Sequence, residues 1–142
     1  YEMSNQVKSI QDLKTTNLTL EQQAMQKQLN FSNSIVTSPE EKVMSTFYIN
    51  KYFGGLASEA VKVFTCESNL NNTAINRRNT NGTLDMGIAQ INSVHQAQFK
   101  TITGLDYNIG ALDPDANIKF AYWLYQHSGW TAWACYGIVE KK

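Results

Sequence analysis

Apolar positions along the 142-residue chain fall into two regimes. In residues 1–34 they are sparse: Met3, Val7, Ile10 and Leu13, then Leu18, Met25 and Leu29, on a background rich in Gln and Asn. The spacings are mostly helical, but the heptad slips at Lys14 and Asn17, so a coiled coil here is short and imperfect. The segment reads either as a solvated helix or linker, or as a stalk through which the chain oligomerises. Near Ser38 the pattern becomes that of a packed domain. Ser38-Pro39-Glu40-Glu41 sets an N-cap serine before a first-turn proline, with a glutamate at the third helical position. The helix it opens puts Val43, Phe47 and the stretch from Ile49 to Tyr52 on its inward face and ends at Gly54-Gly55. A second helix is predicted over about 56–68, with Ala60, Val61, Val63 and Phe64 inward.

Residues 69–85 are dense in Asn, Thr and Gly, which is turn chemistry, and Asn81-Gly82 is a strong hairpin signal. A small irregular antiparallel sheet is expected over about 75–85, followed by the apolar run 86–91 as a short helix or buried segment. Asp113-Pro114 opens a final strong helix with Ile118, Phe120, Ala121, Trp123 and Leu124 on its apolar face. Gly129 ends it, and an aromatic segment occupies 130–136. The fold class is therefore α+β, mostly α. Residues 1–37 form the stalk or linker and 38–142 the globular domain.

Composition narrows the function. Twelve basic residues balance twelve acidic ones, so no basic footprint points to nucleic acid. No apolar run approaches the roughly 18 residues of a membrane span, and no signal-peptide pattern is present. His95 and His127 lie at ligand spacing from neither a cysteine nor each other, so no metal and no cofactor is expected. Both histidines read as structural or surface residues. Cys66 and Cys135 form either one bridge or two free thiols. Asn17, Asn71 and Asn81 open glycosylation-type triplets, which also arise by chance.

Two carboxylates carry the candidate chemistry. Glu67 falls at the C-terminal end of the second predicted helix, where the helix dipole disfavours ionisation. Asp85 lies eighteen positions on, across the hairpin. Glycoside cleavage calls for an acid kept protonated by apolar surroundings, opposite a group that stabilises positive charge on the sugar. On spacing alone the signal is weak, because two acids flank a hairpin in many domains.

The residues around the pair are more specific. Glu67-Ser68-Asn69-Leu70-Asn71, Ala74-Ile75-Asn76-Arg77, Asn79-Thr80-Asn81-Gly82-Thr83-Leu84-Asp85 and Gly87-Ile88-Ala89-Gln90-Ile91-Asn92-Ser93 resemble the central motif of c-type lysozymes. They are also similar to the Glu-Ser…Gly-Leu-Met-Gln-Ile-Asn motif of small bacterial and phage lytic transglycosylases. The resemblance implies a lysozyme-like fold with the hairpin beside a cleft, and peptidoglycan glycan strands as the partner. It makes Glu67 the general acid and Asp85 the second carboxylate. It puts Gln90 and Asn92 in the saccharide cleft, where an amide or the backbone of Asn92 binds an N-acetyl group, and Asn79 near the reacting sugar. Asn76, Asn79 and Asn81 serve equally well as turn residues, and Ser68 reads as support for the fold. Trp133, in Gly129-Trp130-Thr131-Ala132-Trp133, matches the tryptophan that packs against the acid.

The sequence also departs from the c-type pattern. One extra residue at Arg77-Arg78 lengthens the path between the acids and threatens to displace Asp85. Val94 and His95 stand where the animal cleft has two adjacent tryptophans, and the four-disulfide framework is missing. A cysteine directly before the acid and another after the tryptophan segment resemble the resuscitation-promoting factors of actinobacteria, where the two are bridged. That implies a Cys66–Cys135 bridge and an extracytoplasmic setting. Closing a loop of roughly 70 residues would contribute on the order of 4 kcal/mol in the chain-entropy model. The expected activity is that of a muramidase, since residues 79–85 follow the c-type hairpin closely. The alternative is a lytic transglycosylase, whose 1,6-anhydro product needs only Glu67. A non-catalytic glycan-binding or morphogenetic module is the third reading, disfavoured by the intact Glu67.

Overall fold

The computed structural model describes residues 37–140, all within the unit Ile35–Lys142. The segment read as a stalk or linker lies outside the described residues. Helix α1 (Pro39–Phe53) starts as its cap predicts: Glu41 N–H donates to Ser38 Oγ at 3.2 Å, and Ser38 N–H donates to Glu41 Oε1 at 2.9 Å. Its inward face differs from the expectation. Val43 and Phe47 are 70% and 62% exposed, while Ser45, Ile49 and Phe53 are buried. The serine is accepted inside because its hydroxyl donates to the Leu70 carbonyl at 2.8 Å, which satisfies both polar groups at once.

After a short turn at Gly54–Leu56, helix α2 (Ala57–Ser68) buries Ala57, Ala60, Val63 and Phe64, with Val61 only partly covered. It stops abruptly, because Asn69 and then Leu70 take left-handed backbone angles (φ 57° and 59°). Asparagine tolerates that region and leucine does not, so the Leu70 turn is held from outside, by Ser45 and by burial of its own side chain.

Three two-residue strands then form an antiparallel sheet in the order β1 (Ile75–Asn76), β2 (Asp85–Met86), β3 (Ile91–Asn92). The sheet thus reaches further than the predicted 75–85. The apolar run 86–91 is not a helix but the second hairpin, turning over residues 87–90 with Gln90 N–H on the Gly87 carbonyl at 3.0 Å. Gly87 (φ 82°) is obligatory here: a Cβ would overlap the Ala111 carbonyl and the Asn117 amide.

Helices α3 (Gln96–Thr103), α4 (Tyr107–Gly110), α5 (Pro114–Ser128) and α6 (Ala134–Glu140) complete the fold. Helix α5 is capped as predicted, with Ala116 N–H donating to Asp113 Oδ2 at 2.9 Å, and buries Ile118, Phe120, Ala121 and Leu124. Its most consequential residue is one the apolar pattern passes over. Asn117 is fully buried, accepts from Ala89 N–H at 2.9 Å, and donates to the Met86 and Ala111 carbonyls at 2.9 and 2.8 Å. One amide thereby fixes both sides of the second hairpin to the central helix. Mostly helical, with a small sheet set beside the end of α2, the domain has the lysozyme-like α+β fold.

Candidate active site

Glu67 is the penultimate residue of α2, and two anchors fix that helix end. Ser68 Oγ donates to the Ile88 carbonyl at 2.6 Å, tying it to the second hairpin. Cys66 is bridged to Cys135 at the start of α6. The bridge brings the Cys135 backbone N–H to 3.3 Å from Glu67 Oε2, the one hydrogen bond this carboxylate makes among the described residues. Trp133 closes the same side: it is buried against Phe64 and Trp130, and its indole N–H donates to the Ala89 carbonyl at 2.8 Å. Burial raises the proton affinity of Glu67 above the ordinary carboxylate range. The Cys135 N–H opposes this, and the negative charge of Asp85 adds to it.

Asp85 is held in the opposite manner. The extra residue at 77–78 is absorbed in the loop, and Asp85 pairs with Asn76 on β1 and Asn92 on β3. Its Oδ2 accepts from the amides of Asn76 (3.0 Å) and Asn79 (2.9 Å), and its Oδ1 accepts from that of Asn92 (2.8 Å). Asn79 and Asn92 are braced in turn by Thr83. The asparagines read from sequence as turn residues or sugar ligands thus form a net of donors around one carboxylate.

Glu67 and Asp85 meet in a cleft of about 240 Å³, lined also by Gln90, Ile91, Asn92, His95, Leu124, Trp133 and the neighbouring Ala132 and Ala134. Five of the six residues singled out from sequence for catalysis and binding are here; Asn79 is not among the lining residues and stands behind Asp85. The Gln90 amide spends its N–H groups on the Ala74 and Gly87 carbonyls (3.1 and 3.0 Å), which holds its own left-handed turn conformation (φ 51°). Strand β3 lies at the sheet edge. The neighbouring Ser93 N–H bonds to the Leu84 carbonyl, so alternation turns the Asn92 N–H and carbonyl outward, to the open side of the sheet.

Two residues escaped the sequence reading. Tyr107 donates its hydroxyl to the Ile91 carbonyl at 2.6 Å, and burial followed by the charge of Asp85 pushes its pKa up. His95, taken as structural or surface, lines the cleft; His127 is indeed exposed, its ring stacked on Trp123. A lone histidine next to the Gln-Ile-Asn motif was the only available signal. Among the described residues no group of three or more His, Cys, Asp or Glu side chains is placed to hold a metal ion.

A lysozyme-like fold with a donor-poor acid facing an amide-bound one across a cleft defines a class of glycan-cleaving enzymes. A family comparison places the chain within it. The Transglycosylase SLT domain matches residues 45–132, more than half of the sequence, and the chain belongs to that family. Peptidoglycan is the substrate this membership assigns, and the family's reactions are lytic. Comparison with curated proteins and with solved structures returns no match.

Proposed function

We propose that the chain is a lytic transglycosylase cleaving the β-1,4 bond between N-acetylmuramic acid and N-acetylglucosamine, with Glu67 as the single acid and base. The observation that carries this is the environment of Glu67. Burial raises its proton affinity, it has one hydrogen bond on Oε2, and it lines the cleft with Oε1 unpartnered among the described residues. A carboxylic acid so placed gives its proton to the glycosidic oxygen as the bond to muramoyl C1 breaks. The muramoyl C6 hydroxyl then attacks C1, closes the 1,6-anhydro ring and returns its proton to the Glu67 carboxylate. No water is consumed. Asp85 acts through its charge on the developing oxocarbenium ion, and the outward N–H of Asn92 is placed to receive an N-acetyl carbonyl.

Hydrolysis by a muramidase, the outcome expected from the hairpin sequence, is the second reading. What favours it is Asp85 itself, an anionic group at the cleft in the place of the c-type second carboxylate. The SLT family match weighs towards the anhydro route. Mass spectrometry of digested peptidoglycan separates the two: muropeptides with anhydromuramic ends support the proposal, and reducing ends, heavier by one water, support hydrolysis. Action on peptidoglycan and the Cys66–Cys135 bridge both fit work outside the cytoplasm.

A further inference from the structure

Hydrogen-bond accounting across the cleft isolates one residue. Both oxygens of Asp85 are engaged, the Asn92 amide donates to Asp85 and Thr83 and accepts from Val94 N–H, and the Gln90 N–H groups are spent on carbonyls. Among the described residues, the side-chain polar atoms of the cleft with no hydrogen-bond partner are Glu67 Oε1, Gln90 Oε1 and the two ring nitrogens of His95. Glu67 Oε1 belongs to the chemistry and Gln90 presents only an acceptor. His95 alone carries two uncommitted polar atoms.

Its ring is half-buried, with Phe120 braced against it at 5.7 Å and tilted by 48°. A half-buried imidazole without an internal partner is worse packing material than leucine or phenylalanine, unless something entering the cleft uses its polar edge. Burial also lowers its proton affinity, so at neutral pH the ring is uncharged and offers one donor and one acceptor. That pair suits sugar hydroxyl and acetamido groups, which both donate and accept.

We propose that His95 is a substrate-binding residue of this cleft, holding a saccharide unit by hydrogen bonds from its ring edge while Phe120 fixes the ring's orientation. The inference rests on the reading of the cleft as a glycan site.

Binding of tri-N-acetylchitotriose to the full-length Glu67→Gln chain, followed by calorimetry, tests it. Adding His95→Ala is expected to weaken binding about three- to tenfold, the value of one or two neutral hydrogen bonds. His95→Gln, which keeps a donor and an acceptor, recovers part of the loss, and His95→Phe does not. With Glu67 restored, His95→Ala raises KM on purified sacculi and leaves kcat within about twofold. Should His95→Ala fail to fold, the His95 ring resonances of the wild-type chain provide the readout, with chitotriose expected to shift them. Binding unchanged within twofold in His95→Ala, recovery by Phe but not Gln, or ring resonances indifferent to the saccharide each overturn the proposal and leave the glycan reading standing. If chitotriose binds nowhere in the cleft of the Glu67→Gln chain, the glycan reading itself falls, and this inference with it.

Discussion

The two walls of the cleft hold a carboxylate each, and they do so by opposite means. On the helical wall Glu67 is surrounded by Trp133, Leu124 and the Cys66–Cys135 bridge, and a single backbone N–H reaches it. On the sheet wall three asparagine amides converge on Asp85. The difference shows how one short stretch of chain sets two acids to two tasks. Burial with few donors raises the proton affinity of Glu67, and three donors hold the Asp85 carboxylate in place. Each wall supports the other, since the charge of Asp85 contributes to the proton affinity of Glu67.

The largest effect is expected from removing the proton donor. Glu67→Gln should lower the release of soluble muropeptides by about 10²–10⁴-fold. The same change should raise stability at neutral pH. Burial holds the folded-state pKa of Glu67 above its ordinary 4.5, so the folded chain loses stability as pH rises through that raised value. Glutamine has no such loss, so melting curves should favour the variant at pH 7 and converge with wild type below the ordinary carboxylate range. A variant less stable than wild type at pH 7 would break the contrast between the walls.

Next comes the bridge. C66S/C135S should cost on the order of 4 kcal/mol by denaturant unfolding. It should also lose activity under conditions where the chain stays folded, because the Cys135 N–H is no longer held beside Glu67. Full activity in a folded C66S/C135S chain would show that the Ser68 anchor and Trp133 position the acid without the bridge.

Asp85→Asn should reduce kcat by roughly tenfold, a loss of about 1.4 kcal/mol in transition-state stabilisation. It should also move the alkaline limb of the pH profile to lower pH, since without the nearby negative charge Glu67 ionises more readily. A limb that stays in place would mean that the two walls are electrically independent. The smallest effect belongs to Asn79→Ala. It removes one of three donors at a site that does not line the cleft, and should cost about 1 kcal/mol of stability with activity within a few-fold.

Legibility in the sequence followed how local each cause is. The starts of α1 and α5 were readable from Ser38-Pro39 and Asp113-Pro114, because caps are made within one turn of helix. The inward face of α1 was not: Ser45 is buried only because Leu70, 25 positions away, offers it a carbonyl. Val43 and Phe47 are apolar yet face outward, so counting hydrophobic residues found Ile49 and Tyr52 and misplaced these two. The hairpin at 86–91 was hidden for a similar reason. Of its two positive-φ residues only Gly87 is a glycine, and the other, Gln90, is held in place by its own side chain. Glu67, Asp85 and Trp133 could be gathered in advance through the motif they share with known families. Spacing said nothing of Asn117, whose partners in the second hairpin lie 28 and 31 positions away.

The placement of Trp133 and Cys135 has a consequence for biosynthesis. Helix α6 and the turn before it follow every other described element in chain order, yet they supply the wall that encloses Glu67. A ribosome that has delivered both carboxylates and the whole sheet has still not delivered the groups that dry and clasp the acid. A polypeptide broken off before residue 133 would lack both Trp133 and the Cys135 N–H that reaches Glu67. The surroundings of Glu67 are therefore completed only by the last of the described elements.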